Sequence, residues 1–291
     1  MTTPPAILAF DQRKKIGRIF NSVLSQYGFA EHFDEANLTL SENVIVEHTG
    51  SRTLSNAILD SMFPKEPCPC ELFHYTKLAS LKSIAATGEL RLYWTRKRID
   101  QGELSTFAIK HGLKGYLDQS AGAAFYKTLS DDLFYISLTQ PGGGDETDLW
   151  NVFAEGGRGV RLKMLVNPSR AELRAIQYEA CADTLLSKLN AALASEGEPL
   201  FVPWSLSKIG AFYLPSTLHR EDEVRLLIKK YAGGRDESKA DGSNRYWALP
   251  IGSNNDFCQI ELREIHLGPI ASRQDVEAAV AGTRFDSVAI V

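Results

Sequence analysis

Apolar positions near the start of the chain recur at intervals of three and four residues, which is typical of an amphipathic helix. Phe10 to Tyr27 follows this pattern, and Thr53 to Met62 shows it again before a run of prolines interrupts the chain. These prolines mark the expected boundary of an N-terminal helical extension, residues 1–66, before a main domain of residues 67–291.

Further along the chain, alternating or continuous apolar runs predict short strands. The predicted strands are Glu71–Tyr75, Leu90–Trp94, Leu133–Thr139, Val160–Met164, Glu223–Tyr231, Tyr246–Ile251 and Ile260–Leu267. Helical spacing predicts the helices Leu78–Ala85, Gln119–Thr128, Asp148–Ala154, Ala171–Leu193 and Arg273–Ala281. Gly233–Asn244 is polar, charged and rich in glycine, which predicts a mobile, hairpin-like loop. Because strands and helices do not alternate regularly, the pattern favours an α+β fold over a doubly wound parallel sheet.

Composition narrows the class of protein. With 291 residues, of which 44% are hydrophobic and 23% charged, the chain can bury a large core without disulfides. The formal charge of -4 argues against a broad basic face for nucleic acid and leaves room for a local basic cleft. No run approaches the length of a membrane span and the N-terminus does not resemble a signal peptide, so we expect a soluble cytoplasmic protein without a membrane partner.

The cysteines do not have the spacing of a metal site. Cys68 and Cys70 are separated by one residue, and Cys181 and Cys258 form no second pair. We therefore expect structural or incidental thiols and no bound metal.

Two polar clusters could carry chemistry. Phe73-His74-Tyr75-Thr76 ends an apolar strand, where side chains can reach a cleft, although a capping or buried histidine would leave the same pattern.

The second cluster opens the most apolar strand with three acids and two arginines, between Arg220 and Arg225. A period of two places Glu221, Glu223 and Arg225 on one face. Such carboxylates suit a cationic, oxocarbenium-like transition state, and the alternative is a solvated strand edge with exposed ion pairs.

A third motif, Asp148 to Ala154, places Trp150 and Phe153 at helical spacing, which is more typical of a core than of a ligand platform. The glycine-rich turns around Gly142 and Gly156 have neither the ending of a P-loop nor the spacing of a Rossmann fingerprint. The sequence also contains no Gly-x-Ser-x-Gly elbow and no His-Glu-x-x-His helix.

Taken in order, the motifs between Leu72 and Pro269 resemble those of the bacterial DUF2971 family. The motifs that carry this resemblance are His74-Tyr75-Thr76, the helix stop Gly88, Ser137, Asp148-Leu149-Trp150, Phe153-Ala154, Gly159-Val160, Glu221-Asp222-Glu223-Val224-Arg225 and Ile265-His266-Leu267-Gly268-Pro269.

A strand ending in histidine, a helix with a glycine stop and a late glutamate also resemble the His-Tyr-Glu type of ADP-ribosyltransferase. This resemblance implies a split β-sheet core with flanking helices, and NAD as a substrate with no metal. It gives Glu223 the catalytic role, with Glu221 as its neighbour and alternative, and His74 the NAD ribose. The other NAD-binding residues that it implies, as stacking, pyrophosphate or neighbouring groups, are Tyr75, Thr76, Arg91, Tyr93, Trp150 and Arg225.

Three functions remain open at this point. The first is transfer of ADP-ribose from NAD to a macromolecular acceptor, which is a protein, DNA or RNA. The resemblance then implies a toxin or phage-defence effector with an antitoxin or other defence partner. The second is hydrolysis of NAD, with water as the acceptor, and the third is a non-catalytic nucleotide-binding module.

Overall fold

The computed structural model describes residues 9–29, 33–41, 43–48, 53–95, 103–113, 133–179, 184–204, 206–230, 237–253 and 255–291. Its helices are α1 (Phe10–Ser25), α2 (Thr53–Met62), α3 (Leu78–Thr87), α4 (Glu103–Lys110), α5 (Glu146–Phe153), α6 (Leu185–Ser195), α7 (Leu206–Gly210) and α8 (Arg273–Val280). Its 3-10 helices are Glu35–Asn37, Glu155–Gly157 and Ser216–Glu221.

The strands, in chain order, complete the secondary structure of the described residues. They are β1 (Leu38–Ser41), β2 (Val44–Glu47), β3 (Cys70–Thr76), β4 (Glu89–Trp94), β5 (Leu133–Thr139), β6 (Val160–Pro168), β7 (Glu172–Ala175), β8 (Gln177–Tyr178), β9 (Tyr213–Leu214), β10 (Glu223–Lys229), β11 (Lys239–Asp241), β12 (Asn244–Pro250), β13 (Cys258–Leu267) and β14 (Ala289–Ile290). In the part of the chain that the model describes, no helix is both long and apolar enough to cross a membrane.

The described residues group into two compact units. The first takes its residues from Met1–Pro64, Gly102–Leu129 and Gln177–Leu214, and the second from Lys65–Gln101, Ser130–Ile176 and Pro215–Val291. The predicted boundary after residue 66 lies beside the start of the second unit, and the first unit takes two later stretches as well.

The first unit is mainly helical. The predicted helix α1 is confirmed, and it buries the face that carries Ile16, Phe20 and Leu24. The buried carboxylate of Glu47 accepts hydrogen bonds from the backbone N–H groups of Leu54 and Ser55, at 3.0 and 2.8 Å. This side chain therefore supplies two acceptors that the first turn of α2 requires.

The second unit contains a sheet in the order β11-β12-β4-β5-β3-β6-β13-β14, in which β10 also pairs with β5 and β7. Neighbouring strands are antiparallel except for the parallel pair β13 and β14. One face of this sheet buries a large apolar core with helices α3 and α8. The α+β prediction is confirmed in the form of a mostly antiparallel sheet with several helices.

The strand β5 is where this sheet divides. One edge of β5 pairs with β10 along the full range from Leu133 to Thr139. The other edge pairs with β4 only at Tyr135 and Phe134, and with β3 only at Thr139. Among the described residues, β3 and β4 therefore leave the middle of β5, Ile136 to Leu138, without a strand partner on that side.

The predicted helix Ala171–Leu193 is wrong in its first half. Glu172–Ala175 is strand β7, which pairs with Val224 to Leu227 of β10, and the helix begins only at Leu185. Pairing with a neighbouring strand overrides the helical spacing here, because β7 supplies hydrogen bonds to an edge of β10 that would otherwise be open. The Thr184 hydroxyl accepts from the Ser187 N–H and caps the real helix start.

The hairpin-like form predicted for Gly233–Asn244 is confirmed in its described part. Lys239–Asp241 forms strand β11, which pairs antiparallel with the start of β12. Two ion pairs join this hairpin to β4: the Lys239 ammonium lies 2.9 Å from Glu89, and Asp241 lies 2.9 Å from the Arg91 guanidinium. The residues from 233 to 236, like the predicted helix Gln119–Thr128, lie outside the described residues.

Candidate functional site

A cavity of about 460 Å³ lies where the sheet divides, within the second unit. Its lining residues are His74, Tyr75, Arg91, Tyr93, Trp94, Tyr135, Ile136, Ser137, Leu138, Thr139, Leu149, Phe153, Glu221, Glu223, Asn244 and Arg245. This size is ordinary for a small-molecule site, and the mostly apolar wall with a few polar groups is typical of one.

Glu223 is the buried acid of this cavity, with 2% of its surface exposed. It opens β10 directly after Asp222, whose left-handed backbone (φ 43°) turns the chain into the strand. Its Oε1 accepts a hydrogen bond from the Ser137 hydroxyl at 2.6 Å and from the Arg225 Nε at 2.8 Å. Its Oε2 accepts from the Arg225 Nη2 at 3.1 Å, so the carboxylate is held in one orientation.

Arg225 does not line the cavity, contrary to the predicted ligand role. Its side chain is fully buried, two residues along β10 from Glu223, and its guanidinium lies 4.1 Å from the centre of the Tyr135 ring. Cross-strand pairing explains this position, because Arg225 lies opposite Ser137 and its next same-face neighbour on β5 is Tyr135. We conclude that Arg225 fixes the carboxylate of Glu223 through its hydrogen bonds instead of contacting a ligand in the cavity.

His74 of β3 lines the same cavity as Glu223. The sheet register pairs Phe73 with Thr139, and Thr139 with Glu223. Side chains alternate between the two faces of a strand, so His74, the next residue of β3, starts from the opposite face. Its side chain reaches the same cavity because the sheet is open at this point. Burial lowers the pKa of His74, and a contact of 3.1 Å between Nδ1 and the Ser137 carbonyl raises it less. In the neutral ring Nδ1 therefore carries the proton, and Nε2 is an acceptor.

Of the three other predicted binding residues Tyr75, Thr76 and Trp150, only one lies in the cavity wall. Tyr75 lines the cavity, whereas Thr76 and Trp150 do not. Trp150 packs edge-on against the Tyr75 ring, with the ring centres 4.9 Å apart. Its role in the structure is therefore to support Tyr75 rather than to form the cavity wall.

The opposite wall comes from β4 and β12. Tyr93 has 46% of its surface exposed at the cavity, and the Arg91 guanidinium lies 4.6 Å from the Tyr246 ring centre. Arg245 lies 5.3 Å from the Trp94 ring centre. This wall therefore combines two cations with aromatic faces, and the buried carboxylate of Glu223 lines another part of the cavity.

Glu221 is the second acid of the cavity and is partly exposed, since it ends the 3-10 helix Ser216–Glu221 rather than belonging to β10. The glycine turn after β5 packs tightly against it. At Gly144 (φ +72°) a Cβ atom would lie 2.9 Å from the Glu221 carbonyl oxygen, so only glycine fits without strain. The turn therefore fixes the backbone that separates the two acids.

Sequence reasoning did not select several lining residues. Those missed are Trp94, Tyr135, Ile136, Ser137, Leu138, Thr139, Leu149, Phe153, Asn244 and Arg245. Ser137 is the most informative of them, because its hydroxyl contacts Glu223 and its carbonyl contacts His74. A polar residue in the middle of a strongly apolar strand was the available signal. Its partners depend on strand register, which the sequence pattern does not reveal.

No family model matches the chain, and neither a curated protein nor a solved structure matches it. Among the described residues, no group of three or more His, Cys, Asp or Glu side chains could hold a metal ion. Cys68, Cys70 and Cys258 are free thiols.

Proposed function

We propose that this chain is an ADP-ribosyltransferase-like enzyme that uses NAD as a substrate and transfers ADP-ribose to a macromolecule. The observation that carries the proposal is a buried, firmly held glutamate, Glu223, lining the same opening of a divided sheet as His74. A fixed carboxylate without a water shell is what the stabilisation of a developing cation requires.

In this proposal Glu223 acts on the sugar from which nicotinamide leaves. The bond between C1′ and the nicotinamide nitrogen breaks, its electron pair leaves with nicotinamide, and positive charge develops on the ribose. Because Arg225 and Ser137 already hold Glu223 in place, the carboxylate needs no reorganisation as this charge appears.

The neighbouring residues would bind the substrate in its ground state. The acceptor nitrogen Nε2 of His74 suits a ribose hydroxyl, and Arg91 and Arg245 on the other wall suit a pyrophosphate. Tyr93 and Tyr75 offer aromatic faces for stacking. This arrangement would direct the reacting ribose towards β10 and the phosphates towards β4 and β12.

Glu221 is placed for the second half of the reaction. It is partly exposed in the cavity wall, two residues before the buried acid, so an acceptor from solvent can reach it. As the new bond to C1′ forms, the acceptor loses a proton, which the Glu221 carboxylate would take. The acceptor is then a protein or nucleic-acid group, and water in its place would give hydrolysis of NAD.

The proposal is tested by incubating the purified chain with NAD and measuring nicotinamide release. We expect Glu221→Gln to lower turnover by about a hundredfold, since the loss of a group that acts in the transition state typically costs this much. Its control is Glu261→Gln, which changes an exposed acid of β13 outside the cavity lining. Labelled NAD offered with protein, DNA or RNA then identifies the acceptor class.

Two results would contradict this assignment. Unchanged turnover in Glu221→Gln would remove the proposed role of that acid. The absence of nicotinamide release with every acceptor would refute the enzyme function itself, and NAD binding without release would favour a non-catalytic nucleotide-binding module.

A further inference from the structure

Three side chains form a row across neighbouring strands beside the cavity. The sheet register pairs Tyr75 of β3 with Arg161 of β6, and Arg161 with His266 of β13. Residues that are directly opposite in antiparallel strands project from the same face and lie close enough for their side chains to interact. Arg161 is therefore the middle member of a row that starts at a cavity-lining tyrosine.

The guanidinium of Arg161 joins three separate elements. Its Nη1 donates to the Tyr75 hydroxyl at 3.1 Å and to Glu146 Oε1 of α5 at 2.8 Å. Its Nη2 lies 3.2 Å from Nδ1 of His266. The same group lies 4.3 Å from the centre of the Phe73 ring, so it also contacts β3 through a cation–π interaction.

The imidazole of His266 can accept only through a nitrogen that lacks a proton. Its Nε2 lies 2.8 Å from Glu264 Oε2, so Nε2 carries the proton and donates to Glu264. Nδ1 is then free to accept from Arg161, and the contacts of the row are mutually compatible.

Both restraints on Tyr75 lead back to this group. Arg161 binds the hydroxyl end of Tyr75, and Trp150 packs against the ring. Trp150 is itself tied to Arg161 through Glu146, since its Nε1 lies 3.3 Å from the same Oε1 that Arg161 binds. One guanidinium therefore fixes the tyrosine and the helix that supports it.

We propose that Arg161 is a positioning residue that sets the orientation of the Tyr75 ring in the cavity wall. Arg161 itself does not line the cavity, and it acts through Tyr75 and α5, which also carries the lining residues Leu149 and Phe153. The ligand that senses this orientation is NAD, and in that respect the inference rests on the proposed function. A lysine cannot replace this arginine, because an ammonium cannot present a planar fork to three acceptors at once.

The first test observes Tyr75 without any ligand. Tyrosine labelled with ¹³C in the ring gives an NMR signal for Tyr75, identified by its loss in Tyr75→Phe. In Arg161→Gln we expect this signal to shift. We also expect the signals of the two edges of the Tyr75 ring to merge, because the ring can then rotate. In the control Arg170→Gln, which removes an exposed arginine stacked on Phe257, the Tyr75 signal should stay unchanged. If Arg161→Gln does not fold, Arg161→Lys serves in its place.

The second test is a double-mutant cycle on the dissociation constant for NAD. Tyr75→Phe removes only the hydroxyl that Arg161 binds, and Arg161→Gln removes its donor. We expect Tyr75→Phe to weaken binding by about tenfold and Arg161→Gln by at least as much, because Arg161 also holds α5 through Glu146. The double variant should bind no more weakly than Arg161→Gln alone, because Tyr75→Phe then removes a contact that Arg161→Gln has already broken.

The outcomes separate this inference from the function on which it rests. An unchanged Tyr75 signal in the Arg161 variants overturns the positioning role, whatever NAD does. A shifted signal with additive losses of NAD affinity also overturns it, since two independent effects would then be at work. If the wild-type chain binds no NAD, the proposed function fails, and the Tyr75 signal alone decides the role of Arg161.

Discussion

Replacing the buried acid Glu223 by glutamine should destabilise the fold as well as impair the proposed NAD chemistry. Glu223 and Arg225 form an ion pair of 2.8 Å in which both side chains have 1% or less of their surface exposed. Glutamine has nearly the same shape and still accepts a hydrogen bond through its oxygen. It removes the negative charge, however, and turns an amide N–H₂ towards one of the donors that the carboxylate now satisfies.

The size of the effect follows from burial. Breaking one partner of a buried ion pair typically costs about 3–5 kcal/mol, because the other charge stays in a medium of low dielectric constant. The retained amide oxygen places Glu223→Gln near the lower limit, so we expect a loss of about 3 kcal/mol. For a unit of this size the midpoint of thermal unfolding should fall by about 6–12 °C.

The assay is urea unfolding followed by tryptophan fluorescence and by circular dichroism, with the thermal midpoint measured on the same samples. The matched control is Glu261→Gln, which breaks a pair with Arg263 at the same two-residue spacing on a strand and at 2.9 Å, but with half-exposed side chains. Exposed pairs contribute about 0–1 kcal/mol. Equal losses in the two variants, or a loss below about 1 kcal/mol in Glu223→Gln, would refute the argument from burial.

Two further predictions follow from shifted pKa values. Burial lowers the pKa of His74, so the unfolded chain binds a proton more readily and stability should fall as the pH drops below about 6.5. Urea unfolding at several pH values should show a shallower fall of stability with pH in His74→Asn than in the wild type, and an unchanged slope would contradict this prediction. Part of the fall should persist in the variant, because burial also lowers the pKa of His111. Burial raises the pKa of both Cys70 and Cys258 to about 12, so neither thiol should react with iodoacetamide at pH 8 unless urea is added. Rapid alkylation of either one in the native protein, detected by mass spectrometry, would contradict these raised pKa values.

The sequence pattern predicted that Glu223 begins a strand and that His74 lies near the end of one, because both positions depend on local features. Apolar alternation from Val224 onward fixes β10, and a polar run after an apolar strand marks the end of β3. The same alternation placed Glu221 on the face of Glu223 and Arg225, which is wrong in detail. Asp222 adopts a left-handed conformation, so the strand begins only at Glu223 and Glu221 belongs to the preceding turn.

The roles of Arg225 and Ser137 could not be predicted, because they depend on which strands are neighbours. Pairing of β10 with β5 places Arg225 opposite Ser137, where it is buried with Glu223 instead of facing a ligand. Pairing of β10 with β7 likewise turned a predicted helix into a strand. Register is a property of the whole sheet, and one chain read alone contains little direct information about it.

The division of the sheet and the histidine of the site are parts of one structural feature. Along the middle of β5, no described strand pairs with the edge that faces the cavity, and the Ser137 carbonyl bonds the side chain of His74. A backbone carbonyl that is removed from water needs a hydrogen-bond partner, and His74 supplies one to the partly buried Ser137. The hydrogen bond that it makes for this purpose also fixes its proton on Nδ1 and leaves Nε2 as an acceptor. The contact that satisfies the Ser137 carbonyl therefore also sets the chemical state of His74 that the proposed function requires.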